Sequence, residues 1–393
     1  MNIKIFPYVI LLSTLATLET FRNAINPLMA QTQHTPIILS VCNPLATTPY
    51  DSLTSTPINL GILSTTERIN GMALNVIANT NKGSVYGAQI SGLGSASQRD
   101  LYGLQIGSLY SVTGGTMRGM QLSLIQNTVL QKAQGWQVAG FSNFIVGQGH
   151  GMQLAGFTNI AGSYRGMQLA AGVNIASTST AKIAQIAILA NICADTLKGA
   201  QIGFNNYSGN VKGVQLGVIN ICTGEIKGVQ IGLINRSEDT ATVKIGMVNL
   251  NPKTLISVMM YTGDACKSNF AVRFMNHSIY TILGIGTHYR DLDAHFSGAV
   301  FYRAGYEWTL LKEHLFLSTD LGYAHIENFT ENNETPHRMY SLQSRLNLEY
   351  HPKKILGFFL SGGFAHTRHY NSNAIYENKP IVEFGISLLK PRK

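Results

Sequence analysis

The chain has 393 residues, of which 12% are charged and 39 are glycine, and its formal net charge is +9. This length suits two or three ordinary domains, or one long array followed by a domain. The glycines follow no triplet period, which excludes a collagen-like chain, and the basic residues form no run, which excludes a nucleic-acid-binding arm. The positive charge is compatible with an anionic membrane surface or an acidic glycan as a partner.

The N-terminus has the pattern of a secretory signal peptide. Lys4 precedes an apolar segment over residues 5–12, which is too short to span a bilayer as a helix. We expect cleavage after Ala30, so that residues 1–30 form a signal peptide and residues 31–70 lead into the rest of the chain. No later apolar run of about 18 residues predicts a transmembrane helix, so any membrane insertion would have to use strands. The protein is therefore predicted to be exported.

Between residues 71 and 251 the chain repeats the phrase G-x-Q-[I/L]-G-x-[I/x]-N about every sixteen residues. In Gly213–Asn220, the apolar residues Val214, Leu216 and Val218 alternate with Gly and Gln, which is the period of a β-strand. We expect the apolar side chains to face the interior, Gly and Gln to face outward, and the Asn to form a corner. A strand, a corner, a short strand and a turn describe one coil of a β-solenoid, so about 11–12 coils are predicted.

A second arrangement accounts for the same repeat. Each repeat could supply one strand of a single, continuous, large transmembrane β-barrel, with Gly and Gln lining the lumen and the apolar residues facing lipid. In such a barrel the outer loops are normally longer than the inner turns, whereas the links between these repeats are uniform. The uniformity favours the solenoid.

Stacked coils bring equivalent residues into columns, and two columns are candidate binding surfaces. The Gln column is a candidate face for a ligand or partner, although stacked Gln side chains also form amide ladders that serve stability alone. Its members include Gln121, Gln137, Gln153, Gln201, Gln215 and Gln230. The basic column is a candidate site for an anionic partner such as a phosphate or acidic sugar, although a solvated edge is the simpler interpretation. Its members are Arg118, Arg165, Lys198, Lys212 and Lys227.

After residue 251 the repeat ends and aromatic residues become dense. Over residues 342–350, apolar and polar side chains alternate as in a two-faced strand. About eight such segments between residues 252 and 393 predict an antiparallel β-barrel-like domain, whose closure removes exposed edges. Aromatic residues near the predicted strand ends would suit the two interfaces of a membrane. A soluble β-sandwich is the alternative for this region.

The sequence contains no recognisable catalytic, cofactor-binding or metal-binding motif. His366 and His369 come nearest to a metal pair, but residues three apart on a strand point to opposite faces. Gly284–Gly286 precedes no predicted helix and therefore carries no dinucleotide signal. We expect a protein that is not an enzyme, has no cofactor and has no nucleic-acid partner.

The phrase resembles the repeat of a surface-repeat protein family of spirochaetes and Bacteroidota, whose function is unknown. Gly213–Asn220 and Gly228–Asn235 match it best, and the likeness extends over residues 71–250. The resemblance implies a location in the cell envelope, at the outer membrane or cell surface. The expected function is a structural or adhesive role, with the outer membrane or another envelope component, a glycan or a protein as partner. An outer-membrane pore or transporter built as one continuous barrel is the alternative.

Overall fold

The computed structural model describes two β-rich regions that follow each other along the chain. The described residues are 33–42, 45–47, 54–178, 182–238, 243–287, 297–311, 314–329, 337–353, 355–370 and 375–389. The predicted signal peptide lies outside these residues. The described part of the chain contains no helix that is long and apolar enough to cross a bilayer.

The first region is a β-solenoid, as predicted, in which strands of successive coils pair in parallel. Equivalent residues of the phrase lie side by side, so that Gln121 is paired with Gln105 and with Gln137. Its strands among the described residues are Gln33–His34 (β1), Ile37–Cys42 (β2), Leu45–Ala46 (β3), Thr54–Thr66 (β4), Arg68–Asn81 (β5), Val85–Ser91 (β6), Gly94–Ser97 (β7), Leu101–Gly107 (β8), Tyr110–Thr113 (β9), Thr116–Ser123 (β10), Gln126–Val129 (β11), Lys132–Ala139 (β12), Ser142–Ala155 (β13), Thr158–Ala170 (β14), Val173–Thr178 (β15), Lys182–Ala187 (β16), Ala190–Ile202 (β17), Asn205–Leu216 (β18), Ile219–Cys222 (β19), Val229–Ile231 (β20), Ile234–Ser237 (β21), Val243–Ile245 (β22) and Val248–Leu250 (β23).

The second region is a closed antiparallel barrel, in which each strand pairs with the next and the last pairs with the first. Its strands are Leu255–Gly263 (β24), Ser268–Asn276 (β25), Ile279–Thr287 (β26), Ser297–Leu311 (β27), Leu315–Asn328 (β28), Arg338–Lys353 (β29), Leu356–His369 (β30) and Ile375–Leu389 (β31). The repeats pair in parallel, so the alternative of one continuous barrel through the repeats is wrong. The sheet of the second region is closed, which excludes a β-sandwich there.

The parallel array extends upstream of residue 71, where the repeat phrase begins. β4 pairs in parallel with β5, and Asn59 and Ala73 stand in the same column as Gln89. Asn59 lies within residues 31–70, the predicted leading segment, so the parallel array begins earlier than the repeat phrase indicates.

A column of glycines marks one bend of each coil and requires the absence of a side chain. Gly119 has a φ of 138°, and a Cβ atom on it would lie 1.9 Å from the carbonyl oxygen of Gly103 in the preceding coil. That φ is one that residues with a side chain rarely adopt. The column is interrupted by Ile183, which is paired with Gly166 and Gly199 and does not have a positive φ.

The two faces of each repeat are inverted relative to the prediction. Side chains alternate as expected, but Gln215 is fully buried whereas Val214 and Leu216 are 39% and 43% exposed. Gly and Gln therefore face the interior, and the apolar residues between them face outward. The buried Gln side chains hydrogen-bond between coils, and the rest of the interior holds an apolar cluster that includes Leu101 and Met117.

Candidate functional site

The Gln column is a buried amide ladder and not a binding face. All ten Gln side chains of the column are at most 1% exposed. In nine consecutive steps, the Nε2 of each Gln donates a hydrogen bond to the Oε1 of the Gln in the preceding coil, at 2.7–3.1 Å. The prediction that these residues form a partner face is therefore wrong, and the structure contains the alternative arrangement, an amide ladder. The corrected residues are Gln121, Gln137, Gln153, Gln201, Gln215 and Gln230.

The Asn column forms a second buried ladder that runs in the opposite direction. From Asn127 to Asn249, each Nδ2 donates to the Oδ1 of the Asn in the following coil, at 2.8–3.0 Å. The same Nδ2 atoms also donate to backbone carbonyl oxygens, as from Asn191 to Ile202 at 2.8 Å. Each side chain thus satisfies buried polar groups of two coils, which removes much of the cost of burying them.

The basic column exists as predicted and lies on the exterior. Lys182 is paired with Lys198, and Lys198 with Lys212; Lys182 follows Arg165 in the column, because the next residues, Gly166 and Ile183, are paired. Lys182 belongs to the column although the phrase does not reveal it, because Ile183 stands where the repeat normally has Gly. The predicted members Arg118, Arg165, Lys198, Lys212 and Lys227 are exposed or half-exposed. Gln134 and His150 occupy the two positions between Arg118 and Arg165.

Three apolar columns share the outer surface with the basic column, and sequence reasoning missed all three. Two of them lie on the same strands as the basic column, on either side of the Gln position, and include Trp136 and Leu154. The third follows the next bend and forms what we call the apolar ridge. The ridge residues are Leu93, Leu109, Ile125, Phe141, Phe157, Leu189, Phe204, Val218, Leu233 and Met247, with Gly172 interrupting the ridge between Phe157 and Leu189. Phe141 is 54% exposed and its ring stacks on that of Phe157, with centroids 5.3 Å apart.

The barrel interior is filled by ion pairs between strands. The guanidinium of Arg273 donates two hydrogen bonds to Glu349, at 2.6 and 3.1 Å. Arg345 binds Glu383 in the same bidentate way, at 2.8 and 3.0 Å, and Arg303 lies 3.4 Å from the same carboxylate. The side chains of all five residues are at most 4% exposed.

Uncharged polar groups complete this network and leave almost no space. Asn347 donates to Asp320 at 2.9 Å, and the hydroxyl of Tyr280 lies 3.1 Å from the same carboxylate. The cavity between these side chains has a volume of about 10 Å³, which is at most the space of one water molecule. The side chains of this network therefore pack closely against one another.

The outer wall of the barrel is apolar. On β29, Leu342, Leu346, Leu348 and Tyr350 are 44–55% exposed, whereas the residues between them point inward. The predicted two-faced strand is thus confirmed. Its neighbours have the same pattern, with outward residues that include Phe358, Leu360, Phe364, Val382 and Phe384. An apolar outside and a charged inside are the reverse of a soluble barrel and are typical of a barrel in lipid.

Aromatic side chains lie near the strand ends, as the sequence predicted. Tyr306, Trp308, Tyr323, Tyr350 and Tyr370 are each 39–51% exposed. Tyr and Trp at such positions are typical of the two interfaces of a membrane.

The two ends of the barrel differ in the length of their links. At one end the links are residues 277–278, 312–314 and 354–355, and at the other they are 264–267, 288–296, 329–337 and 370–374. We call the end with two or three residues between consecutive strands the short-turn end. In outer-membrane barrels the shorter connections lie on the periplasmic side.

The solenoid is joined to the barrel at the short-turn end. Three backbone carbonyls of the last coil accept hydrogen bonds from barrel side chains. The donors are Asn276 to the oxygen of Asn249 at 2.8 Å, Thr281 to that of Met247 at 2.7 Å and Tyr302 to that of Gly246 at 3.3 Å. Thr281 and Tyr302 alternate with the inward-facing Tyr280 and Arg303, so both lie on the outer wall.

The described residues contain no group of three or more His, Cys, Asp or Glu that could hold a metal ion. His366 and His369 are three positions apart on β30, and His366 contacts Asn378 and Arg368.

Comparison with known proteins adds little. No protein-family model and no curated protein matches the chain. Among solved structures, the N-terminal β-barrel domain of Pseudomonas aeruginosa OprF matches at 14% identity and a TM-score of 0.26, covering 35% of this chain and 96% of that domain. Neisserial surface protein A matches at 9% identity and a TM-score of 0.22, covering 35% of this chain and 94% of its own. At scores this low, neither likeness bears on what this protein does.

Proposed function

We propose that the chain is a non-enzymatic protein of the cell envelope, anchored in an outer membrane by its C-terminal barrel. The observation that supports this most directly is the apolar outer wall of a closed barrel whose interior is occupied by bidentate ion pairs. In water such a wall would be a large exposed apolar patch, which soluble monomers rarely have. In a bilayer the same wall would be covered by lipid.

The solenoid then serves a structural or adhesive role, in keeping with the resemblance of its repeat to envelope surface-repeat proteins. Of the two candidate binding surfaces, the basic column is the one that an anionic glycan or protein could reach, because the Gln column is buried. A pore or transporter is the competing function. The packed barrel interior, with about 10 Å³ between its charged side chains, argues against conduction through these strands.

The anchoring is tested by fractionating cells that express the full chain. We expect the protein to remain with the outer membrane after washing with high salt, and to migrate differently on gels before and after heating. Release by salt would contradict the anchor. Conductance in planar bilayers above that of a blank preparation would favour the pore.

A matched pair of variants shows whether the barrel wall itself contacts lipid. Leu346 lies at the middle of β29 and is 55% exposed, so Leu346→Arg should weaken insertion into vesicles by about 2–4 kcal/mol. Thr223→Arg, at an exposed turn of the solenoid, adds the same charge away from the barrel and should leave insertion unchanged. Equal insertion of both variants would mean that β29 does not face lipid.

A further inference from the structure

The direction in which the solenoid leaves the barrel follows from the hydrogen bonds at their junction. Within the solenoid, the oxygen of Leu233 accepts a hydrogen bond from the backbone nitrogen of Val248 in the next coil, at 2.9 Å. The equivalent oxygen in the last coil, that of Met247, accepts instead from Thr281 of the barrel. The barrel wall therefore stands where a further coil would stand. Because hydrogen bonds between stacked strands run along the solenoid axis, that axis points into the outer wall of β25–β27, and the solenoid extends sideways from the barrel.

The apolar ridge ends on this wall at the level of the lipid-facing residues. Its last member, Met247, is held by Thr281, which is paired with Phe274 and Ala304 across the sheet. A cleft of about 450 Å³ beside it is lined by apolar residues, including Val243 of the solenoid and Ile279 of the barrel, and by polar residues, including Lys244 and His277. Apolar residues of both regions thus border the same cleft, together with polar groups.

The basic column lies on the same outer surface, beyond the two apolar columns. Along β17, the outward-facing positions are Lys198, Ala200 and Ile202, followed after the bend by the ridge residue Phe204. Outward neighbours on a strand are about 6.6 Å apart, so the positive charges lie farther from the ridge than both apolar columns do. An apolar edge followed by a basic stripe is the pattern of proteins that lie in a membrane interface of negative charge.

We propose that the solenoid lies along the leaflet on the short-turn side of the barrel, with its apolar ridge among the acyl chains and its basic column on the phosphates of anionic phospholipids. This proposal rests on the proposed membrane anchor. It places the repeats on the periplasmic side of an outer membrane and not at the external surface, because short turns face the periplasm. Lipid fits the ridge better than a second copy does, since pairing two ridges would bring two basic columns together.

The two tryptophans of the chain report separately on the two regions. Trp136 lies in an apolar column of the solenoid and is 52% exposed, and Trp308 lies on the barrel wall and is 44% exposed. In vesicles of brominated phosphatidylglycerol and phosphatidylcholine, we expect the full chain with Trp308→Phe to lose about half of its emission, because the bromines reach the depth of an interfacial segment. The control is the variant Trp136→Phe, Trp308→Phe and Thr223→Trp, whose emission should not change.

The outcomes separate this inference from the anchor on which it rests. Quenching of Trp308, measured in a Trp136→Phe variant, together with quenching of Trp136 supports both proposals. Quenching of Trp308 alone overturns the membrane-lying solenoid and leaves the anchor intact, and absence of both overturns the anchor. Cross-links between ridges of two copies, with Trp136 protected from bromine, would also overturn the inference.

The role of the charges is tested by replacing Lys198, Lys212 and Lys227 with Gln. Each basic residue near an anionic surface strengthens membrane binding, so the ratio of inserted to released solenoid should fall roughly fivefold for each lysine that is replaced. We expect the triple variant to need a larger phosphatidylglycerol fraction for half-maximal quenching of Trp136, and the wild-type requirement to rise with salt. Identical lipid dependence of both proteins would contradict the assignment of phosphates to this column.

Discussion

The solenoid and the barrel both have apolar outer surfaces and interiors that combine an apolar cluster with buried polar groups, yet those polar groups differ in chemistry. The solenoid uses neutral amides, as in the Gln and Asn ladders, and the barrel uses ion pairs such as Arg273 with Glu349. Stacking by translation places every side chain beside its own equivalent, so a charged residue in a column would face like charge. Antiparallel closure places different residues opposite each other, so charges of opposite sign can meet. The symmetry of each fold thus decides which buried polar groups it can hold.

The two ladders also show why amides suit repetition. A carboxamide is both donor and acceptor, so each one can donate to one neighbour and accept from the other. The Gln ladder donates toward the N-terminus and the Asn ladder toward the C-terminus. The Gln ladder ends at Gln230, whose paired residue in the last coil is Lys244. Beyond this point the barrel begins and charged residues move to the interior.

The largest expected effect comes from the backbone stacking that repetition imposes on the solenoid. Gly119→Ala would place a methyl group 1.9 Å from the oxygen of Gly103 at a φ of 138°. Strain of the backbone and overpacking together should lower the free energy of unfolding by about 4 kcal/mol. The measurement is urea unfolding followed by Trp136 fluorescence in a Trp308→Phe background.

The matched control for this glycine lies in the barrel. Gly362 has no atom within 4 Å of the position that a Cβ would take, and Gly362→Ala should change stability by at most about 0.5 kcal/mol. If both substitutions cost the same, close stacking of coils is not what requires Gly119. The exception at Ile183 offers a second check, because Ile183→Gly should not stabilise a coil that is already built around a side chain.

The next largest effect concerns the ion pairs of the barrel. Glu349→Gln leaves the buried guanidinium of Arg273 without its bidentate partner and should cost about 3 kcal/mol. Replacing both residues, as in Arg273→Met with Glu349→Leu, removes this ion pair and leaves Glu307, which lies 3.8 Å from the Arg273 guanidinium, without that neighbour. The double variant should therefore cost less than the single one but more than nothing. Unfolding in detergent micelles, followed by Trp308 in a Trp136→Phe background, measures both. If the double variant is less stable than Glu349→Gln, the ion pair contributes more to the stability of the barrel than the neutralisation of two buried charges.

The sequence predicted the two architectures and their order but not the face that each strand buries. Alternation alone specifies two faces, and the rule that apolar residues are buried predicts that Val214 and Leu216 face the interior. The signal that opposes this is the repetition of the amide: the Gln of one coil can hydrogen-bond to the Gln of the next, which makes its burial possible. The glycines do not decide the face, because a Cβ at Gly213 would meet the backbone of Gly199 in the neighbouring coil. The column of Lys and Arg could be predicted from the spacing of the repeat, because exchanging the buried and exposed faces of a strand does not change which residues are paired between coils.

The orientation of the solenoid on the barrel could not be predicted from the sequence. It depends on Asn276, Thr281 and Tyr302, which belong to three different strands and follow no repeat. Each of the three donates to a backbone carbonyl of the last coil. Those carbonyls are accessible to the barrel because the array stops after β23. Contacts of this kind form where a repeat array stops, and the pattern within the repeats does not predict them.

The smallest of the three effects tests whether the ladder excludes charge. In Gln153→Glu, the Nε2 of Gln168 still has an acceptor, but an ionised carboxylate cannot donate to the Oε1 of Gln137. Burial should raise the pKa of the introduced carboxyl above its usual value of about 4.3. Because the folded-state pKa is then higher than the unfolded one, the variant should be close to wild type below about pH 4, where the protonated acid can donate. It should lose stability as pH rises, by about 2 kcal/mol at pH 7 if the pKa shift is one to two units.

The control for this variant makes the same change on the outside of the same solenoid. Gln134 is paired with Arg118 and His150 in the basic column, so Gln134→Glu introduces its charge beside positive or neutral neighbours. Its stability should differ from wild type by at most about 0.5 kcal/mol and should not fall between pH 4 and 7. Urea unfolding at both pH values, with Trp136 as the probe, compares the two variants directly. A ladder variant that is equally stable at both pH values would show that the interior accommodates charge, and that translation along the solenoid does not restrict its buried polar groups to neutral amides.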